Sequence, residues 1–241
     1  MTTAKQTIIG YLGGREARAA HFDALEELFP PGVALETEPL SLWRDPPKDE
    51  SQGEELYVTK VVELVKAHGW DALALTGTPN EVLYPAALGR IRDAVGMPTT
   101  ASLAASAAAL QALGVRRTLL LTPFDQTMNT SVEKLFAAKG IETVLPRNAF
   151  GSIDEAGALD QDGVFALTRD ALGEASGADG ICFQGARLDA VPLLDRLESE
   201  LGVPVVASNQ AMLWHVLSEL GQHHTLPRGG RLLREWPGVA E

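Results

Sequence analysis

Two short stretches of the chain place polar residues directly after an apolar run, the position at which a parallel sheet presents its ligand site. They are Thr76-Gly77-Thr78-Pro79-Asn80-Glu81 and Gln184-Gly185-Ala186-Arg187. Each turns on a glycine, which lets a ligand approach the backbone closely. The amides that follow begin a helix and are unpaired donors that attract anions. These two corners therefore favour the binding of a small carboxylate.

Side chains at the two corners are candidates for contact with that ligand. Thr78 and Asn80 offer a hydroxyl and an amide, and Glu81 is either an acid–base group or a favourable first-turn residue of a helix. Arg187 could clamp a carboxylate through two parallel hydrogen bonds or be a solvated residue at a helix start. Pro79 removes one backbone donor. Gln184, Gly185 and Ala186 are expected to complete the cradle together with Gly77.

Two further strand ends are predicted to lie at the same edge. After "RTLLLT", Phe124 is expected to form an apolar wall, and Asp125 either caps the next helix or does acid–base work. After "TIIGYL", Gly13 and Gly14 suit a close approach to the ligand. The next two residues, Arg15 and Glu16, either face the cleft or belong to the first turn of a helix.

None of the corners carries a nucleophile. The only cysteine, Cys182, lies within an apolar strand three residues before Gly185, which favours a role in the core. His215 lies inside a helical pattern, and the late His223 and His224 have no partner at metal-ligand spacing. The glycine-rich phosphate-binding motifs are missing, so no nucleotide cofactor is expected. The sequence thus predicts neither a metal nor a cofactor.

Composition narrows the class of protein. The chain has 241 residues, 45% of them hydrophobic, and a formal net charge of −12. No basic stripe is present to neutralise phosphates, so a nucleic-acid partner is not expected. There is no signal-peptide pattern and no run of about eighteen apolar residues. We therefore expect a cytoplasmic location and no membrane partner.

Short apolar runs alternate with longer helical patterns, which is typical of parallel βαβ units. Strands are predicted at 7–12, 33–40, 71–76, 98–101, 117–122, 141–146, 180–184 and 204–208. Helices are predicted near 16–29, 53–68, 81–95, 103–113, 127–139, 161–175, 189–201 and 209–220.

The chain repeats itself. "DALALTGT…LGRIRDAVGMPTTAS" (71–102) matches "DGICFQGA…LLDRLESELGVPVVAS" (179–208), with an offset of 108 residues at the start and 106 at the end. In both copies a glycine follows the aspartate by six residues, and Gly-x-Pro-x-x-Ala-Ser opens the next helix. The repeat predicts two similar lobes with Gly77 opposite Gly185. We expect one lobe to comprise 1–113 with 209–241, and the other 114–208.

These stretches resemble the aspartate/glutamate racemase superfamily, and most closely its arylmalonate decarboxylase and maleate isomerase branch. The resemblance extends from "IIGYLGG" through "LTGTP", "ALGVRRTLLLTPFDQTMN" and "DGICFQGARLDAVPLLDRLESELGVPVVASNQAMLW" to "RGGRLL". It implies an α/β fold of two pseudo-symmetric, flavodoxin-like lobes. Each lobe would be a parallel sheet of about four strands flanked by helices, with a cofactor-independent site for small carboxylates in the cleft between the lobes.

The resemblance also shows what this chain lacks. Racemases and maleate isomerases carry a cysteine at both strand ends, and arylmalonate decarboxylases keep only the second, as proton donor to an enediolate. The first position falls here on Gly77, and the second on Gly185 or on Gln184. Phe124 replaces a usual tyrosine, and Pro79 replaces a serine whose amide helps to hold a carboxylate.

Three functions remain open at this point. The first is a cofactor-free lyase or isomerase acting on a small mono- or dicarboxylate through an enediolate or carbanion, which needs no thiol nucleophile. The second is a carboxylate-binding or regulatory protein on the same scaffold, and the third a hydrolytic or eliminating enzyme with Glu81 or Asp125 as base. Homo-oligomers are common among such proteins, but the sequence fixes no oligomeric state.

Overall fold

The fold consists of two parallel four-stranded sheets flanked by helices. A computed structural model of the chain describes residues 5–13, 21–40, 49–146 and 153–239. The strand order is β2-β1-β3-β4 in the first sheet and β6-β5-β7-β8 in the second. The strands are β1 (Thr7–Leu12), β2 (Val33–Glu38), β3 (Ala72–Leu75), β4 (Thr99–Ala101), β5 (Arg117–Leu121), β6 (Glu142–Val144), β7 (Gly180–Phe183) and β8 (Val205–Ala207). All eight predicted strands are confirmed, several of them one or two residues shorter, as is the two-lobed α/β architecture.

Helices flank each sheet, and the inner strands β1, β3, β5 and β7 are accordingly almost continuously apolar and buried. In the described ranges they are α1 (His21–Glu26), α2 (Glu50–His68), α3 (Thr78–Leu83), α4 (Ala87–Val95), α5 (Ser102–Ala112), α6 (Gln126–Ala137), α7 (Ile153–Gly157), α8 (Gln161–Glu174), α9 (Leu194–Leu201), α10 (Ser208–Glu219) and α11 (Gly230–Glu235). None of these described helices is both long and apolar enough to cross a membrane.

Two predicted helices are divided by proline. The predicted helix 81–95 is two helices, because Pro85 forces the preceding Tyr84 out of helical geometry, to φ −126° and ψ 68°. The predicted helix 189–201 starts instead with a 3₁₀ turn around Pro192, and α9 follows it. The sequence reading missed α7 and α11.

The repeat is visible in the hydrogen bonds of the two lobes. Asp71 accepts from the Ile8 amide at 3.0 Å, and Asp179, 108 residues later, accepts from the Arg117 amide at 2.9 Å. Each aspartate thus ties its own strand to the start of the neighbouring strand, β1 in one lobe and β5 in the other. These matched contacts support a duplicated unit.

The Gly-x-Pro-x-x-Ala-Ser segments also serve the same purpose in both lobes. Gly96 and Gly202 end α4 and α9 in the left-handed conformation, at φ 64° and 74°. The prolines that follow accept equivalent hydrogen bonds from β3 and β7, each 2.9 Å long. The serines that close the segments are the first residues of α5 and α10.

α5 and α10 pack against each other and join the two lobes. α10 contacts β3 and β4 of the first sheet as well as β8, whereas α11 contacts α9 and β8. The predicted division into 1–113 with 209–241 and 114–208 stays a prediction.

Close packing around β1 gives a first testable prediction. A Cβ added to Gly10 would lie 2.3 Å from the ring of Trp70, whose indole nitrogen is held by Glu36 at 2.6 Å. We expect Gly10→Ala to lower the free energy of unfolding by about 1–3 kcal/mol through overpacking. Gly89→Ala is the matched control, since no atom lies within 4 Å of its added Cβ. It should stabilise α4 by about 0.5–1 kcal/mol. Urea unfolding of both variants tests the contrast.

Candidate active site

Both corners need glycine because of their backbone conformation. Gly77 and Gly185 have φ values of 99° and 108°, which side chains rarely adopt. A Cβ would lie 3.1 Å from the side-chain nitrogen of Asn80 at the first corner and 2.9 Å from Pro123 at the second. A cysteine at either position would therefore be strained.

The side chain of Gln184 joins the two corners. It follows β7 in the second sheet and is fully buried. Its Nε2 donates to Thr78 Oγ1 at the first corner, at 2.8 Å, and its Oε1 accepts from Ser106 Oγ of α5, also at 2.8 Å. The two strand ends are thus in contact across the lobes, and the Gln184 amide lies between them.

A chain of hydroxyls leads from Thr78 to Glu81. Thr78 Oγ1 lies 3.4 Å from Ser102 Oγ, which donates to Glu81 Oε1 at 2.9 Å. The same carboxylate accepts from the Leu103 and Ala104 amides, at 2.6 and 3.1 Å, and so caps α5. Burial raises the pKa of Glu81 to about 7, although these donors act in the opposite direction. Glu81 is therefore both a helix cap and a group that can carry a proton near neutral pH.

Asn80 is buried beside Gly77 with one half of its amide unsatisfied. Its Nδ2 is 3.5 Å from the Thr76 carbonyl, and its Oδ1 has no hydrogen-bond partner among the described residues. Burial raises the pKa of the Tyr57 phenol on α2, and the interaction of that phenol with the Asn80 side chain acts in the opposite direction.

The turn that follows β5, at residues 122–125, forms a third corner, which lies against the second corner at Gly185. Pro123 and the ring of Phe124 are the groups nearest to a Cβ added at Gly185, at 2.9 and 3.1 Å. Thr122 and Asn129 hold this turn through a buried hydrogen bond. Asp125 is exposed and caps α6 by accepting from the Met128 amide at 2.9 Å. The structure thus shows its capping role, and acid–base work by Asp125 stays a prediction.

The other predicted site residues lie around this centre. Gly13 packs so closely on Thr76 that an added Cβ would lie 2.0 Å from its hydroxyl. Gly14, Arg15 and Glu16 lie outside the described residues. Ala186 lines a pocket beside Gly185, whereas Arg187 is exposed and 3.5 Å from Asp154. Such an exposed pair contributes little to stability.

Cys182 and His215 have structural surroundings. Cys182 is fully buried in β7, and burial raises the pKa of its thiol to about 12. His215 Nδ1 lies 2.9 Å from Thr100 Oγ1, and burial lowers its pKa to about 4. In the part of the chain that the structure describes, no three His, Cys, Asp or Glu side chains cluster as metal ligands would.

The sequence reading missed a pocket at the second corner, which we call the α10 pocket. It is small, with about 10 Å³ of accessible space, and it opens to solvent. Its polar lining includes Asp189, Ser208 and Asn209. The internal repeat could have revealed it, because Asp189 lies 108 residues after Glu81 and Ser208 lies 106 after Ser102.

Asp189 gives a prediction about pH. Burial raises its pKa to about 6, against a hydrogen bond from the Val191 amide. Because the folded protein holds this proton more tightly than the unfolded chain does, protonation of Asp189 stabilises the fold at low pH. That contribution to the free energy of unfolding is lost as the pH rises from about 4 through 6. We expect Asp189→Asn to stabilise the protein by about 1–2 kcal/mol more at pH 7.5 than at pH 4.5. Urea unfolding at both pH values tests this, with the exposed Asp93→Asn as control.

Comparison with known proteins identifies the family. Residues 47–233 match the family model described as arylmalonate decarboxylase, and this range includes both corners and the α10 pocket. The chain belongs to the arylmalonate decarboxylase family. Curated relatives of this family member are an arylmalonate decarboxylase from Bordetella bronchiseptica, 32% identical over 153 residues, and a maleate isomerase from Nocardia farcinica, 28% identical over 129. The matches cover 60% and 52% of this chain, and 61% and 50% of those relatives.

Solved structures share the fold of this arylmalonate decarboxylase family member. Unliganded arylmalonate decarboxylase superposes with a TM-score of 0.81 at 25% identity, over 95% of this chain and 100% of that one. The maleate cis-trans isomerase of Nocardia farcinica bound to TRIS gives a TM-score of 0.80 at 18% identity, over 95% and 98% of the two chains. The second likeness concerns the fold alone.

Proposed function

We propose that this protein is a cofactor-independent enzyme of the decarboxylase or isomerase type, acting on a small mono- or dicarboxylate through an enediolate. The hydrogen bond from Gln184 to Thr78 is the observation that carries the proposal, because it brings the two strand ends into contact, as a shared site between them would require. Family membership supports the same class of chemistry.

The absence of an available thiol favours decarboxylation over addition to a double bond. One solved relative, a maleate isomerase, carries a covalently bound succinylcysteine intermediate, which needs a reactive cysteine. The only cysteine of this chain is buried in β7 with a raised thiol pKa, and a thiol is nucleophilic only as thiolate. Loss of CO2 needs no nucleophile, so it suits these corners better.

The proposed reaction is balanced by a single proton. The bond between the α-carbon and one carboxylate breaks, CO2 leaves, and the electron pair forms an enediolate on the remaining carboxylate. A proton then adds to the α-carbon. The amides that follow Gly77 and Gly185 and the hydroxyl of Thr78 are the proposed donors to the enediolate oxygens. Asn80 would orient the first corner, and the Phe124 ring would exclude water.

Glu81 is the proposed source of the proton. Its carboxyl reaches Thr78 through the hydroxyl of Ser102, and a pKa near 7 leaves it partly protonated at neutral pH. Thr78 would deliver the proton and recover it along the same chain of hydroxyls.

The test is turnover of phenylmalonate in D2O. We expect release of CO2 and phenylacetate that carries one added deuterium at the α-carbon, detected by NMR. Maleate and alkylmalonates define the range of substrates. If none of these acids reacts, and wild-type protein and Thr78→Ala behave alike, the proposed activity is wrong.

A second candidate is a protein that binds a carboxylate without turning it over. It is favoured by Gln184, whose fully buried side chain occupies the space between the two corners. Saturable binding of malonate in calorimetry, with no product after prolonged incubation, would select this function.

A further inference from the structure

The α10 pocket has a counterpart in the other lobe in which a carboxylate is already bound. There, Ser102 begins α5, and its hydroxyl donates to Glu81 at 2.9 Å. The next two amides, of Leu103 and Ala104, donate to the same carboxylate. The first lobe thus satisfies the start of its central helix with its own side chain, as helix starts require.

The second lobe begins α10 with the equivalent serine but supplies no carboxylate. Ser208 and Asn209 are each only 5% exposed and line the pocket. Among the described residues, the Ser208 hydroxyl and the Asn209 side-chain amide have no hydrogen-bond partner, and the N-cap residue offers no side-chain bond. Neither side chain is among the described atoms that are sealed from solvent without a partner, so both polar groups open onto the pocket, where a ligand can replace water as their partner.

Asp189 does not take the place of Glu81. It lies at the repeat-related position and lines the same pocket, but its carboxylate accepts from the Val191 amide instead. Aspartate is also one methylene shorter than glutamate. A space therefore remains between Asp189 and the start of α10.

We propose that the α10 pocket binds the carboxylate group of a small ligand at the start of α10. The Ser208 hydroxyl, the Asn209 side-chain amide and the backbone amides of Asn209 and Gln210 are its donors. This inference rests on the proposed function, because it assigns a place at the second corner to a carboxylate of the substrate. When Asp189 is ionised, its negative charge repels the carboxylate of the ligand and thereby lowers the affinity of the pocket.

Two-dimensional NMR of the wild-type protein tests the site without any mutation. Titration with malonate should move the backbone amide signals of Asn209 and Gln210. The amides of Leu103 and Ala104 should stay in place, because Glu81 already occupies them. Malonamide, which has nearly the same shape without the charge, should leave both pairs unchanged. Equal shifts with malonamide, or shifts confined to Leu103 and Ala104, would refute the site.

Variants then test the individual donors by calorimetry. Ser208→Ala and Asn209→Ala should each weaken malonate binding about tenfold, as expected for one lost bond to a charged group. The exposed Ser199→Ala on α9 should bind like wild type. Asp189→Asn should tighten binding severalfold at pH 7.5. Weaker binding in that variant, or unchanged binding in both donor variants, contradicts the proposal.

The same experiments separate this inference from the proposed activity. Malonate binding that depends on Ser208 in a protein without turnover would uphold the site and reject the enzyme. Turnover of phenylmalonate with the same KM in Ser208→Ala and in wild type would uphold the enzyme and reject the site.

Discussion

Replacing Thr78 by alanine is expected to lower kcat for the proposed decarboxylation by about 10²–10³, the usual loss when one oxyanion donor is removed. Thr78 Oγ1 makes a contact between the two lobes, because it accepts a hydrogen bond from Gln184, and it also lies 3.4 Å from Ser102 Oγ. The variant loses the proposed donor to the enediolate and the last hydroxyl of the path from Glu81. Stability should fall by about 1–3 kcal/mol, because the buried side-chain amide of Gln184 loses its acceptor.

Thr78→Ser is the informative companion, because it keeps the hydroxyl and removes only a methyl group. It should retain activity within a few-fold of wild type. Thr130→Ala serves as the distant control, since its hydroxyl bonds only to the Gln126 carbonyl on the surface of α6. Product formation followed by NMR measures all three. Full activity in Thr78→Ala would remove this residue from the proposed mechanism.

The sequence could predict the two sheets because their signals are local. A buried parallel strand is an apolar run of four to six residues, and each such run here is separated from the next by a helical pattern. The internal repeat also predicted that the chain forms two similar lobes. Asp71 and Asp179, which occupy matching positions in the repeat, make matching hydrogen bonds in the two lobes. Pro85 was also a local signal for the break between α3 and α4, but it was not used.

The site could be predicted only in part, because its contacts depend on how the lobes dock. Pattern alone indicated that Gly77 and Gly185 mark two corners, and their positive φ values explain why glycine is needed. Nothing in the local sequence indicates that Gln184 would reach Thr78 and Ser106, which lie 106 and 78 positions away. The role of Glu81 as cap of α5 likewise depends on the placement of one helix against another.

Replacing Gln184 by leucine is expected to destabilise the protein by about 2–4 kcal/mol, the largest stability effect that we predict. The change keeps the bulk of a fully buried side chain but removes both of its hydrogen bonds. Buried hydroxyls that lose a partner cost about 1–3 kcal/mol each. Ser106 can recover part of this cost, because its hydroxyl also lies 2.8 Å from the Ser102 carbonyl. Urea unfolding measures the difference.

Gln111→Leu is the control for loss of a glutamine side chain, since Gln111 is exposed and bonds only to the Lys139 carbonyl at 2.8 Å. It should change stability by no more than about 0.5 kcal/mol. A value that small for Gln184→Leu would show that the link between the corners contributes nothing to the docking of the lobes.

Gln184→Glu separates hydrogen bonding from shape, because glutamate has the same size as glutamine. A protonated carboxyl at this position can still donate to Thr78 and accept from Ser106, but an ionised one would be a buried charge. Burial should raise the pKa of the new carboxyl above its ordinary value of about 4.3. The variant should therefore approach wild-type stability at pH 4.5 and lose stability steadily as the pH rises to 8. Gln184→Leu should show no such additional slope, and equal pH dependence in the two variants would mean that position 184 is open to solvent.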